Sequence, residues 1–212
     1  MNILMNQAPT YVKLPRKVQI NTDYRTSIKY ELLMTDRSVS NDEKLKKALF
    51  LYFGKQIYHF TAAEITNAVD ELLWFYTCGK DKDDIAEMSD KKDSKRRPAG
   101  MNRVYDYMHD AEYIYTAFLQ QYNVDLQKEQ IHWWKFKAMF KSLTDQCEFV
   151  KIMGYRSIKI DNNMTKSQKE FYSEMKRIHA LPLPKSERQK LKAMEEALLR
   201  GESLEGIINV PG

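Results

Sequence analysis

Glycine is scarce in this sequence, at 7 of 212 residues, and proline is scarcer still, at 6. A β-sandwich or barrel turns back on itself repeatedly and draws on both residues, so the shortage argues against those folds. It also argues against phosphate-cradling loops, which use glycine to bring backbone N–H groups onto an anion, and neither GxGxxG nor a Walker glycine–lysine loop occurs. Cysteine is nearly absent: Cys78 and Cys147 stand alone, with no CxxC pair. Two lone thiols read as small buried hydrophobes in a reducing compartment. No apolar run approaches the roughly 20 residues that span a bilayer. The opening "MNILMNQAPTYVKLPRK" lacks the charged-then-apolar order of a secretion signal. These absences lead to an expectation of a cytoplasmic protein without a membrane partner. HExxH and the nucleophile elbow are missing too. The expectation is therefore no enzyme, with no catalytic, cofactor-binding or metal-binding residues and no cofactor.

An excess of one charge is also lacking. Thirty-four basic and 29 acidic residues leave a net charge of only +5, and the two signs alternate along the chain. Nucleic-acid binders concentrate positive charge on one face or arm. The mixture here fits a solvated, salt-laced surface.

What the sequence does have is helical punctuation. Ser40 and Glu43 have capping-box spacing ahead of Leu45, Ala48, Leu49 and Tyr52, and Gly54 stands where the helix would stop. Thr61 and Glu64 repeat the box, with Phe60 and Ile65 as a hydrophobic staple. Ile65, Ala68, Val69, Leu72, Phe75 and Tyr76 then follow at helical spacing to Gly79. Upstream, Tyr24, Ile28 and Leu32 predict a shorter helix entered at Thr22. Downstream, Met108, Ala111, Tyr115, Phe118 and Tyr122 predict one long helix, and residues 131–143 predict the next. A short helix ends near Gly154. Another runs from Ser167 to His179, with Ser167 and Glu170 as its box and Phe171, Met175 and Ile178 as its stripe, until "LPLP" stops it. A final helix, 186–200, carries Leu191, Met194 and Leu198 on one side.

The expected fold class is all-α: a single helical domain of seven or eight helices, a charged central loop and a separate C-terminal helix. Residues 1–20 form an extended arm that crosses the body or hangs free. Residues 21–79 form an N-terminal helical half, and 80–102, "KDKDDIAEMSDKKDSKRRPAG" and its flank, a flexible charged loop. Residues 103–182 form a second half with an aromatic core, and 183–212 a tail set apart by prolines.

Three stretches invite a chemical reading. Asp106, His109, Asp110 and Glu112 lie close together, but an i,i+3 Asp–His pair on a helix is more often an ion pair than half of a metal site, and His59, His132 and His179 stand alone in other stretches. The basic "KDSKRR" within 91–97 could meet a phosphate backbone, although its acidic neighbours argue for a solvated loop. "IHWWKFKAMF" interleaves aromatics with lysines, as a base-stacking platform would. On a helix, however, Trp133, Phe136, Phe140 and Leu143 share one stripe, while Trp134, Ala138 and Ile131 fall about 100° away. The two tryptophans cannot form one stacking face. Trp133 is expected in the core, and Trp134 is the aromatic most open to a partner.

Four stretches together resemble a known family: "DELLWFYTCGK" (70–80), "HDAEYIYTAFLQQYNVDL" (109–126), "IHWWKFKAMFKSL" (131–143) and "KIMGYRSI" (151–158). They are similar, in order and rough spacing over about residues 15–182, to the bacteriophage gene-product-fifteen family of tailed phages and prophages of low-GC Gram-positive bacteria. The resemblance implies a gene between those for the major tail protein and the tape-measure protein, the slot of tail assembly chaperones. It further implies a non-enzymatic protein that coats the tape-measure protein in the host cytoplasm, hands over to tail-tube subunits and is absent from the finished virion. The family has no recognised catalytic residues to carry over. The expected partners are the tape-measure protein, the major tail protein and further copies of the chain, and the expected partner-binding residues are Trp134, Leu191, Met194 and Leu198. The alternative is a nucleic-acid-binding phage protein using 91–97 and the aromatic 131–143 helix.

Overall fold

The computed structural model describes residues 4–80, 103–182, 192 and 194–200. The charged loop beyond Lys80, with its basic 91–97 stretch, and most of the tail, Leu191 included, lie outside the described residues. Among the described residues the fold is almost wholly helical, as the punctuation predicts. A β-hairpin pairs β1 (Tyr11–Lys13) with β2 (Lys17–Gln19). Seven α-helices follow: α1 (Tyr24–Thr35), α2 (Asn41–Phe53), α3 (Ala62–Tyr76), α4 (Ala111–Tyr122), α5 (Trp133–Lys141), α6 (Glu148–Ser157) and α7 (Lys166–Ile178). A 3-10 turn, Gly54–His59, links α2 to α3.

Local chemistry sets most of these boundaries. Ser40 accepts the Glu43 N–H at the start of α2, and Gly54 ends the helix at φ 58°, a left-handed conformation that favours glycine. Thr61 and Glu64 form a complete capping box on α3. Three boundaries differ from the sequence reading. The cap of α1 is Asp23, whose side chain accepts the Arg25 N–H, rather than Thr22. The box on α7 is Thr165–Gln168, two residues before Ser167–Glu170; both pairs have suitable spacing, and the earlier one closes. The helix α6 runs through Gly154 to Ser157, which places Arg156 in its last turn.

The long helix expected from Met108 begins only at Ala111. Asp106 Oδ1 accepts the N–H groups of Met108 and His109, which turns the chain, and Met108 is left exposed. The buried face of α4 is Ile114, Ala117 and Phe118; of the expected stripe Phe118 is fully buried, Tyr115 and Tyr122 are half-buried, and Met108 and Ala111 are exposed.

Residues 11–19 of the expected extended arm form a hairpin that packs on the body. Val12 and Val18 pair across it and are buried, and β1 packs on α3. The next residues tie the segment to the helices. The Asn21 N–H donates to Tyr52 O, the Tyr24 N–H to Ile131 O and the Trp133 N–H to Thr22 O.

One continuous core runs from Val12 to Phe149 and draws on both sides of the charged loop. Phe136 sits at its centre, stacked on Tyr24 (4.6 Å), Phe118 (4.9 Å), Trp133 (5.8 Å) and Phe140 (5.9 Å) between ring centroids. Such contacts add to the area term of burial.

Candidate functional site

The tryptophan pair lies on α5, whose first turn is unusual in being capped by histidine. His132 Nδ1 accepts the Trp134 N–H (3.1 Å), and Nε2–H donates to the Pro9 carbonyl (3.0 Å). A carbonyl only accepts and an amide N–H only donates, so these bonds select the neutral ring protonated on Nε2. Burial holds the His132 pKa below its ordinary 6.5, opposed by the hydrogen bond to Pro9.

Both indoles point at the end of α3. Trp133 Nε1–H donates to Tyr76 O and Trp134 Nε1–H to Phe75 O, each at 2.8 Å. The last carbonyls of a helix have no partner within it, and these two donors supply one. Lys137 lies over the Trp133 ring at 4.8 Å and over Tyr76 at 5.8 Å, adding positive charge near the same helix end. Trp134 also packs edge-on against Trp74 at 5.5 Å.

Trp134 is only 3% exposed and Trp133 is fully buried, so the second tryptophan, expected at a partner surface, is part of the core. Its second apolar face is covered by α3. For the same reason the 131–143 helix offers no base-stacking platform: Phe136 and Phe140 are buried with the tryptophans.

The residues weighed as metal ligands serve a different purpose. Asp110 is fully buried, and its two oxygens receive both ends of the Arg156 guanidinium, Nη1 to Oδ2 at 2.7 Å and Nη2 to Oδ1 at 2.8 Å. Asp110 Oδ2 also accepts the Asp106 N–H. Arg156 also donates from Nη1 to Val104 O (3.0 Å) and from Nε to His179 O (2.6 Å). This bidentate pair clamps the 104–110 turn, the end of α6 and the end of α7 together. Asp106 pairs with Arg103. Among the described residues no three His, Cys, Asp or Glu side chains converge to hold a metal ion.

The sequence reading missed Arg156 because its partner lies 46 residues away. Arg25 escaped it likewise: its guanidinium donates to the carbonyls of Leu126 and Glu129 and pairs with Asp23. The four stretches that carry the family resemblance thus meet in pairs, 70–80 with 131–143 through the indoles, and 109–126 with 151–158 through the ion pair.

Surface available to a partner lies elsewhere. The helix α7 buries none of its residues. Phe171 is 49% and Ile178 55% exposed, with Met175 half-buried between them. Tyr155 of α6 packs beneath, against Phe171 and His179. Of the tail residues expected at a partner surface, Met194 is half-buried and Leu198 is 64% exposed. Among the described residues no helix is long and apolar enough to cross a membrane.

A family model described as bacteriophage Gp15 protein matches residues 9–181, well over half of the chain. No curated protein and no solved structure matches it.

Proposed function

The chain belongs to the bacteriophage Gp15 family, and from that premise we propose that it is a non-enzymatic tail assembly chaperone whose first partner is the tape-measure protein and whose second is the major tail protein. It acts in the host cytoplasm and is left out of the finished virion. The gene slot implied by the family resemblance is one support. The single structural observation that carries the reading is the apolar stripe of α7, which touches Tyr155 of α6 through Phe171 yet leaves about half of Phe171 and Ile178 open to solvent. Phe171, Met175 and Ile178 stand at i, i+4 and i+7, the spacing with which one amphipathic helix meets another. A tape-measure protein is long, helical and apolar enough to aggregate before the tube encloses it. A chaperone for it needs such faces on a body that folds independently of the partner. A half-buried carboxylate and two phenol groups hold one another: Glu31 accepts from the Tyr76 hydroxyl (2.9 Å) and the Tyr105 hydroxyl (3.5 Å).

The test is co-expression with the tape-measure protein, followed by pull-down. Phe171→Glu with Ile178→Glu is expected to lower co-purified tape-measure protein about tenfold, since two apolar contacts are replaced by charge. The far-UV spectrum should stay unchanged, because neither side chain is buried. Equal recovery with the double variant would remove α7 from the binding surface.

A further inference from the structure

A second apolar surface lies where α1, α2 and the 3-10 turn meet. Leu33, Phe50, Leu51, Ile57 and Tyr58 enclose a groove of about 570 Å³. Phe50 is 47% and Tyr58 72% exposed, their rings 6.5 Å apart. Single exposed hydrophobes are ordinary, but two adjacent aromatics over a shared hollow make an acceptor for apolar side chains. Lys46 and Lys47 also line the groove. Both are exposed, and among the described residues neither has an ion-pair partner. The groove therefore asks for large aliphatic side chains accompanied by carboxylates.

The chain supplies such a segment itself. Residues 195–208 read "EEALLRGESLEGII", with five large aliphatic side chains and four glutamates against one arginine. Its described part shows which way it faces. Ala197 is 1% exposed, whereas Leu198 is 64% and Leu199 84% exposed. Ala197 is buried and the two leucines are turned outward. We propose that the lysine-flanked groove between α1, α2 and the 3-10 turn receives the 195–208 segment of a second copy of this chain. Groove and tail are different patches, so the contact is head-to-tail. A copy whose groove is filled still offers its own tail, and repetition produces an open string of subunits rather than a closed pair. The arrangement holds whichever phage protein is the partner, and it would give a chaperone of a long protein a means of lining up copies along it.

The full chain is measured by light scattering after gel filtration across a concentration series. Wild type is expected to grow in mass with concentration, through a ladder of species rather than to a single dimer. Lys46→Glu with Lys47→Glu weakens this association about tenfold, and so does Glu195→Lys with Glu202→Lys, since each pair places like charges together. Combining all four substitutions restores association toward wild type, and Phe50→Glu abolishes it. All these positions are surface positions or in the tail, and an unchanged far-UV spectrum establishes that a variant is folded. A wild-type chain that stays monomeric at every concentration overturns the proposal, as does a four-substitution variant no better than either pair. Neither result bears on co-purification of the tape-measure protein, which tests the chaperone reading separately.

Discussion

Arg156 and Asp110 show how much one pair of side chains can organise. A buried carboxylate is costly to desolvate, and here it is matched by a guanidinium that itself satisfies two backbone carbonyls. Arg156→Ala strands Asp110 without its partner and is expected to cost about 3–5 kcal/mol by urea denaturation. Replacing both residues, with Asp110→Leu and Arg156→Met, should cost much less than the sum of the single changes, because no charge is then left buried alone. His132 gives a second prediction at this scale. Its folded pKa lies below 6.5, so the unfolded chain takes up the proton first. Above about pH 6.5 the ring is neutral in both states and pH has no effect through it. As the pH falls from there toward the lower folded value, stability is lost. Denaturation midpoints at about pH 7 and about pH 5.5 should differ more for wild type than for His132→Asn, which keeps a capping side chain without the titration. An equal difference in both proteins would dismiss His132 as the source.

At the scale of the element, the chain's helices were readable wherever a short-range device fixes them. Ser40 with Glu43, Thr61 with Glu64 and Gly54 are local signals, and each marks a real helix end. Where two local signals compete, spacing alone does not choose, as at Thr165–Gln168 against Ser167–Glu170. The stripe read for α4 holds at Phe118 and in part at Tyr115 and Tyr122, but its first member falls outside the helix because an Asx turn at Asp106 delays the start, and only the distant Arg156 explains why Asp110 faces inward. The hairpin at 11–19 is too short for its alternation to stand out. Gly154, read as a helix end, is instead interior to α6, where an added Cβ would meet nothing within 4 Å. Gly154→Ala should therefore stabilise the protein by about 0.5–1 kcal/mol, measured by thermal or chemical unfolding. The end of α3 offers a sharper comparison. The Phe75 carbonyl keeps the Cys78 N–H as a donor if Trp134 is lost, while the Tyr76 carbonyl without the Trp133 indole is left with only the weak Cys78 thiol donor at 4.0 Å. Trp133→Phe should thus cost more than Trp134→Phe, within about 1–3 kcal/mol for the hydrogen bond.

At the scale of the whole molecule, the all-α class and the family were both readable, the first from periodicity and the second from four stretches in order. The candidate surface was read less well. Trp134 was expected to face a partner because helical geometry puts it on a second face, but geometry on one helix cannot say that α3 covers that face. Leu198 is exposed where a partner contact was expected, and the α7 stripe, which carried no partner expectation, leaves Phe171 and Ile178 about half exposed. The aromatics of the 131–143 helix are interior, whereas Phe50, Tyr58 and Phe171 stand on outer surfaces beside aliphatic side chains. Binding through such faces should change little with added salt, whereas a phosphate-directed contact would weaken steeply. The most direct measurement is the soluble yield of the tape-measure protein expressed with and without this chain, followed by pull-down at low and high salt. The chaperone reading predicts that the chain raises the soluble yield and co-purifies with the tape-measure protein at both salt concentrations. An unchanged yield with no co-purification would contradict it.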